Sequence, residues 1–302
     1  MNTPQKSRPQ SQIDLKKPVW QWTMLLSMAF IWGTSFILMK KGLQSYTYTQ
    51  VAAFRMFLSF VFLIPLIVKN LKKLKEVNLT AILLVAFIGV AIPSLLFTKS
   101  QTQINSSLAG MLNSLSPLFT MIIGMMFFKI SLKRYNIMGV VLGMIGAGGL
   151  MFKGQTGIFD QINIYAFFIV LATVCYGFNS NYVKLHLTHL DGITITSLTF
   201  LMIGPVAGIY LLFSDFSMAR ASAHPIVNLG YIAILALCSS ALGMIMYNTL
   251  IRYTSALFVS SATYIIPVFA IFWGILDGEV VSPFQFLWIS VIFLGVYLVN
   301  RK

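Results

Sequence analysis

The sequence predicts an all-α integral membrane protein with ten transmembrane helices, arranged as two inverted five-helix repeats. Of its 302 residues, 58% are hydrophobic and only 9% are charged, and the mean hydropathy is +0.84. Soluble domains are roughly 45–50% apolar and about 25% charged. A soluble fold of this length cannot hide so much apolar surface, so the expected surroundings are a lipid bilayer.

Ten apolar runs have the roughly 20 residues that a helix needs to cross about 30 Å of hydrocarbon. These predicted spans, numbered 1 to 10, lie near 19–39, 47–68, 79–98, 105–128, 135–152, 162–184, 193–213, 226–250, 256–276 and 283–300. Residues 1–18 are polar and rich in Pro, Gln and Ser, which predicts a disordered cytoplasmic tail. The rest divides into a first repeat at 19–152 and a second at 153–302.

The distribution of Lys and Arg predicts the orientation, because these residues favour cytoplasmic loops. With the N-terminus inside, 15 of the 21 Lys and Arg residues face the cytoplasm, five face outward and Arg55 lies within a span. We therefore predict a multi-pass protein of the cell (inner) membrane with both termini cytoplasmic. The net charge of +14 lies mostly where it meets anionic lipid, so no nucleic-acid partner is expected.

The two halves of the chain repeat the same features. Trp32-Gly33 in span 1 recurs as Tyr176-Gly177 in span 6, at an offset of 144 residues. At an offset of 150, three positions of span 4 match three of span 9, pairing Asn113 with Thr263, Pro117 with Pro267 and Gly124 with Gly274. Five spans is an odd number, so the second repeat enters the bilayer from the opposite side. Many secondary transporters follow this plan, with the solute site near mid-membrane.

Short motifs occur in a characteristic order along the spans. They are Ile31-Trp32-Gly33-Thr34-Ser35-Phe36, Arg55, Ala109 with Pro117, Gly139, and Pro267 followed by Gly274 and Glu279. In this the chain resembles the drug/metabolite transporter superfamily, in its EamA-type branch of paired five-helix domains. The sequence departs from that pattern at Lys129, where the first domain often carries Glu, and at Tyr176, where Trp is common. The resemblance implies export or exchange of metabolites; amino acids, drugs and sugars are all represented in the superfamily.

Polar side chains in the middle of spans are the candidate binding residues, because a polar group in hydrocarbon must be paired or face water. The predicted substrate-binding residues are Trp32, Ser35, Asn113, Tyr176, Asn179, Tyr247, Asn248, Thr263 and Tyr264. Amides and hydroxyls among aromatic rings are typical of a small-molecule cavity. The alternative for each residue is a hydrogen bond that joins two helices.

Three further residues within spans have predicted roles. Pro117 and Pro267 lie at corresponding depths, which favours matched hinges. Arg55 can contact an anion or stabilise the structure, and the structural role is favoured. No Asp or Glu lies in mid-span, so facilitated diffusion or exchange is at least as well supported as proton coupling.

The combined pattern predicts a secondary transporter that exports or exchanges small organic metabolites, with amino acids or related compounds as the leading class. Its expected mechanism is alternating access around a central cavity between the repeats. Multidrug-type efflux and a non-transporting membrane scaffold or sensor are the alternatives. The sequence lacks HExxH, GxSxG and paired acidic residues, so we expect no enzyme activity, cofactor or metal. The glycines of span 5 predict close helix packing within a monomer more than a homodimer interface.

Overall fold

The computed structural model describes residues 15–75, 77–128, 134–151 and 163–300, and every regular element in these ranges is helical. Ten long helical segments follow the ten predicted spans. Numbered α1 to α10, they are Pro18–Gly42, Tyr48–Asn70, Leu79–Ser100, Ser106–Phe128, Arg134–Met151, Ile164–His186, Gly192–Leu212, Pro225–Tyr253, Ala256–Leu276 and Pro283–Asn300. The predicted all-α membrane fold is confirmed.

Eight of these helices are long and apolar enough to cross a membrane. The other two, α5 and α10, have 18 residues each and pack along one another. The count of ten crossings stays a prediction. Most of the predicted cytoplasmic tail, and the link between the two repeats at 152–162, lie outside the described residues.

Polar loop residues define where several helices begin. The Thr47 hydroxyl accepts a hydrogen bond from the Gln50 backbone amide at 3.3 Å, and Gln50 Oε1 accepts one from the Thr47 amide at 3.0 Å. Side-chain caps of the same kind are supplied by Asn78, Asn105, Asn163, Asp191 and Ser255. Each such cap stabilises a helix end by about 1 kcal/mol.

Corresponding helices of the two halves run in opposite directions. At one end of the α2–α7 pair, Tyr210 Oη donates to Thr49 Oγ1 at 2.7 Å. At the other end, Thr194 Oγ1 donates to Asn70 Oδ1 at 3.0 Å. Because the two helices are antiparallel, the second five-helix unit is inverted relative to the first.

The α5–α10 pair shows the same inversion. A Cβ added to Gly146 would lie 2.7 Å from Ile292 Cγ1, and one added to Gly149 would overlap the Trp288 ring. Residue numbers therefore rise along α5 as they fall along α10. The glycines of α5 are used for close packing within the chain, while the oligomeric state stays a prediction.

Four helices are irregular at matched positions. In α3 and α8 the helix widens into π-helical segments, Val85–Ala91 and Leu235–Leu242, whose first residues differ by 150. In α4 and α9 the helix is interrupted after Asn113 and by the 3₁₀ turn Ser261–Tyr264. Irregular backbone within a membrane protein is tolerated where it lines a cavity or is buried in protein.

The two predicted hinge prolines lie directly after these interruptions. Pro117 is the second residue of the resumed helix Ser116–Phe128, and Pro267 is the second residue of Ile266–Leu276. Proline fits the first turn of a helix because the amide it lacks would have no partner there. The sequence predicted bends at these prolines, and the structure places the interruption just before each one. Whether they act as hinges stays a prediction.

Two matched glycines bring the repeats together. A Cβ on Gly33 of α1 would lie 2.5 Å from Phe269 Cβ of α9. A Cβ on Gly177 of α6 would lie 2.6 Å from the Phe119 carbonyl carbon of α4. The first helix of each repeat thus packs against the fourth helix of the other repeat. In both cases the contact lies just after the proline of that fourth helix.

Candidate functional site

A cavity lies where the two repeats meet. Its walls come from α1, α2, α3 and α4 of the first repeat and from α6, α8 and α9 of the second. Its volume is about 80 Å³, so the cavity is small. We call it the central cavity.

Seven of the nine predicted binding residues line the central cavity, namely Trp32, Ser35, Asn113, Tyr176, Asn179, Tyr247 and Thr263. Arg55 also lines it. The remaining two, Asn248 and Tyr264, lie elsewhere. The structure thus brings together residues that are more than 200 positions apart in the sequence.

The side chain of Asn248 turns away from the central cavity. It is 0% exposed, and its Nδ2 donates to Thr196 Oγ1 of α7 at 3.0 Å. Successive residues of a helix point about 100° apart, so Tyr247 faces the cavity while its neighbour faces α7. Asn248 therefore joins two helices, which is the alternative role that the sequence left open for each candidate.

Tyr264 lines a second, wider space of about 870 Å³. This groove runs between the start of α1, the link from α8 to α9 and the end of α10, with Trp22, Tyr253, Phe258 and Tyr297 among its walls. Thr263, its neighbour in the 3₁₀ turn, lines the central cavity. The turn Ser261–Tyr264 therefore forms part of both walls.

Six serines that were not among the predicted binding residues also line the cavity. They are Ser94, Ser116, Ser180, Ser239, Ser240 and Ser260. Serine is common as a link between membrane helices, so its position in a span says little. The repeat offset was the available signal: 150 residues relate Gly89 to Ser239 and Phe97 to Tyr247, and all four line the cavity.

Aromatic rings form a second component of the walls. Trp32 Nε1 donates to the Ser239 carbonyl at 3.1 Å, and the Trp32 and Tyr247 rings lie 5.8 Å apart. On the other side, Tyr176 stacks on Phe97 with 5.8 Å between ring centroids. These flat faces suit an apolar or aromatic part of a solute.

An ion-pair cluster lies at the end of the bundle where α1 terminates, which is the external face in the predicted orientation. It consists of Lys40, Lys41, Ser106, Ser107, Asp277 and Glu279, and we call it the Glu279 cluster. Lys40 Nζ lies 2.8 Å from both Asp277 Oδ2 and Glu279 Oε1. The cluster ties the end of α1 to the loop that follows α9.

Glu279 also binds the start of α4. Its Oε1 accepts hydrogen bonds from the Ser106 amide at 2.9 Å and hydroxyl at 2.6 Å. Its Oε2 accepts from the Ser107 amide at 3.0 Å and hydroxyl at 2.7 Å. A carboxylate at a helix N-terminus also interacts favourably with the helix dipole. Three helices from both repeats are thus joined through one side chain.

We expect the contacts of the Glu279 cluster to be insensitive to pH between 5 and 8. Burial by itself would raise the pKa of Glu279, but hydrogen bonds from Lys40, Ser106 and Ser107 lower it to about 2. A depressed carboxyl pKa contributes stability above the unfolded value of about 4.3 and loses it as pH falls toward the folded value. The labelling rate of a cavity cysteine from the external side, divided at each pH by the rate of a fully exposed cysteine to correct for thiolate content, should therefore stay constant from pH 8 to 5. A several-fold change that Glu279→Gln abolishes would contradict this.

The opposite face of the bundle is built differently. Lys184, which corresponds to Lys40, donates to the Ile251 carbonyl at 3.0 Å. Ala256 and Leu257 stand where the first repeat has Ser106 and Ser107. Lys129 stands where an equivalent of Glu279 would lie, although its structure is outside the described residues. The sequence therefore supplies no second cluster of the same kind.

In the described part of the chain, no three His, Cys, Asp or Glu side chains approach closely enough to hold a metal ion. Cys175 and Cys238 are free thiols.

Comparison with known proteins gives consistent results. The sequence pattern of the EamA-like transporter family matches residues 20–152 and again residues 163–301. The uncharacterized inner membrane transporter YedA of Escherichia coli (strain K12) is 25% identical over 291 residues, covering 91% of this chain and 89% of YedA. An uncharacterized transporter of Archaeoglobus fulgidus is 22% identical, covering 93% and 99% of the two chains. One protein crystal structure aligns with a TM-score of 0.64 at 11% identity, covering 94% of this chain and 97% of that one, which supports the fold alone.

Proposed function

Because the chain belongs to the EamA-like transporter family, we propose that it is a secondary transporter that exports or exchanges small organic metabolites through the central cavity. Amino acids and related compounds are the leading class. The observation that carries this proposal is the cavity itself, which lies between two inverted repeats and presents amides, hydroxyls and rings from both. Inverted-repeat transporters typically bind their solutes in this place.

Alternating access is the proposed mechanism, and the two faces of the bundle support it through their differences. At the predicted external face, the Glu279 cluster joins α1, α4 and α9. Toward the predicted cytoplasmic face, the turn Ser261–Tyr264 is shared by the central cavity and the groove. We therefore propose that the structure is closed to the outside, and that movement of this turn connects the cavity with the cytoplasm.

Exchange or facilitated diffusion is the proposed mode of transport. Among the described residues, no Asp or Glu lines the central cavity. Glu279, with a pKa of about 2, stays ionised at physiological pH while the cluster is intact. A proton relay through a mid-membrane carboxylate therefore has no candidate residue in the cavity.

The small volume of the cavity favours small metabolites over the drug-sized compounds of multidrug-type efflux. To test transport, metabolites should be profiled in the medium of cells with and without the gene. The compounds that differ should then be loaded into liposomes containing the purified protein. Uptake of labelled solute that requires both the protein and unlabelled solute inside the liposomes would support exchange. A protein that moves none of these compounds would be a scaffold or sensor.

Two buried asparagines offer a matched pair of variants for this assay. Asn179 lines the central cavity, whereas Asn248 does not, and within the described part of the chain Oδ1 of each lacks a hydrogen-bond partner. We expect Asn179→Ala to lower exchange about tenfold or more with little change in unfolding temperature. Asn248→Ala removes the bond to Thr196 and should lower stability by about 1 kcal/mol while exchange per folded molecule is kept. Equal losses of exchange in both variants would argue against a binding role for Asn179.

A further inference from the structure

We propose that the central cavity selects solutes that carry an anionic group, a carboxylate being the chemistry that fits, and that Arg55 binds this group. The inference rests on the transport function proposed above and names its substrate class. Its starting point is a guanidinium placed deep in the membrane region. Arg55 is the eighth residue of α2, and so lies about 10 Å from the start of that helix at 1.5 Å per residue.

The hydrogen bonds of Arg55 leave part of its guanidinium available to a ligand. Its Nε donates to Ser240 Oγ at 2.5 Å. Among the described residues, its two terminal nitrogens have no hydrogen-bond partner, and the side chain keeps accessible surface that lines the cavity. The bond to Ser240 holds the planar group in place. The terminal nitrogens of such a group form the fork that binds carboxylates with two parallel hydrogen bonds.

The charge of Arg55 has no acidic counterpart in the cavity wall. The acidic side chains of the described residues are Asp191, Asp215, Asp277 and Glu279, all in loops at the ends of helices and each engaged there. An isolated charge within a membrane protein is costly unless it is paired or faces water. A bound anion would offset this cost in the loaded state.

The positive charge also breaks the symmetry of the repeats. The helix α2 is capped by Thr47 and α7 by Asp191, an offset of 144 that places Thr199 opposite Arg55. Thr199 is buried, does not line the cavity, and is neutral. Packing between the repeats therefore does not require a cation at this position. A role in binding explains why one repeat alone carries it.

The other walls suit the remainder of a small organic anion. The side-chain amides of Asn113 and Asn179 line the cavity, and the rings of Trp32, Tyr176 and Phe97 provide flat apolar faces. None of the described residues that line the cavity has a carboxylate that could pair with an ammonium group. The cavity therefore favours anions first, then zwitterions, over cations of the same size.

The test is a binding measurement on the purified full-length protein in detergent at pH 7.5. Three probes share one ring and chain length: 3-phenylpropionate, 3-phenylpropionamide and 3-phenylpropylamine. Calorimetric titration and thermal shift are measured for the wild type, Arg55→Gln and Arg55→Lys. Lys99→Gln is the control, because it removes one positive charge from the end of α3, where Lys99 lies over the Tyr48 ring outside the cavity.

We expect the carboxylate to bind the wild type at least tenfold tighter than the amide or the amine. Arg55→Gln should weaken carboxylate binding to the level of the amide, Arg55→Lys should retain part of it, and Lys99→Gln should change it less than twofold. Carboxylate binding that is absent, no tighter than amide binding, or unaffected by Arg55→Gln would overturn the inference. Because binding is read without flux, a failure here leaves the proposed transport function standing, and a failure of liposome exchange does not alter this readout.

Discussion

Replacing Glu279 by Gln should increase the labelling of the central cavity from the external face by at least tenfold. The carboxylate accepts four hydrogen bonds from Ser106 and Ser107 and pairs with Lys40. Glutamine keeps the shape but loses the charge and presents only one acceptor oxygen. Hydrogen bonds to charged groups contribute about 1.5–3 kcal/mol each. Losing about 1.4 kcal/mol of preference for the closed state already shifts the population tenfold.

The measurement needs one reporter thiol. Cys175 and Cys238 are replaced by Ser, and Ser35, which lines the cavity, is replaced by Cys. A membrane-impermeant maleimide is then applied to intact cells, with wild-type Glu279 or the Gln variant.

Asp191→Asn is the matched control for loss of a carboxylate. Burial by itself would raise the pKa of Asp191. Hydrogen bonds from Lys73 and Thr194 instead lower this pKa to about 2, as in Glu279. Asp191 joins the ends of α2 and α7 at the opposite face, so its loss should leave external labelling unchanged. Labelling that rises equally in both variants would indicate general loosening, and no rise in Glu279→Gln would contradict the gating role.

The fold could be predicted because its signals are local and large. Span length and hydropathy defined the helices to within a few residues, as in α9, predicted at 256–276 and found at Ala256–Leu276. The repeat offsets predicted which helices of the two halves correspond in the fold. Trp32-Gly33 and Tyr176-Gly177 share one offset because each glycine receives the fourth helix of the other repeat.

The site could be predicted only in part. Whether a side chain faces the cavity depends on how its helix is rotated about its own axis, and the sequence does not give this rotation. Tyr247 and Asn248 are adjacent and both polar, yet one lines the cavity and the other binds Thr196. The π-helical segments shift this rotation in α3 and α8, and neither hydropathy nor residue spacing marks where they occur. Hydropathy places a serine such as Ser240 in a span without indicating what it faces.

The Glu279 cluster lay beyond sequence reasoning for a different reason. Its partners, Lys40 and Glu279, are 239 positions apart and each follows an apolar span in the same way as any loop charge. Only the packing of α1, α4 and α9 brings them together. The departure at Lys129 was visible in the sequence, but which side chains gather around Glu279 required the structure.

Gly177→Ala should damage both the stability and the activity of this chain. The added Cβ would lie 2.6 Å from the Phe119 carbonyl carbon and 2.8 Å from both the Phe119 oxygen and the Thr120 nitrogen. These are backbone atoms of α4 and cannot rotate aside as a side chain would. Overpacking typically costs about 1–3 kcal/mol, and here it separates α6 from α4 at the edge of the central cavity. We expect a fall of several degrees in the unfolding temperature and loss of most exchange activity.

Gly230→Ala in α8 is the control, because nothing lies within 4 Å of an added Cβ there. Alanine favours helix over glycine by about 0.8–1 kcal/mol, so this variant should unfold at the same or a higher temperature and keep its activity. Gly33→Ala provides the matched case in the first repeat, where the added Cβ meets the Phe269 side chain at 2.5 Å and the Ile266 carbonyl at 3.0 Å. Its effect should approach that of Gly177→Ala, because Phe269 Cβ is bonded directly to the backbone of α9 and cannot rotate aside. If Gly177→Ala behaved like Gly230→Ala, the close contact between α6 and α4 would have no part in holding the repeats together.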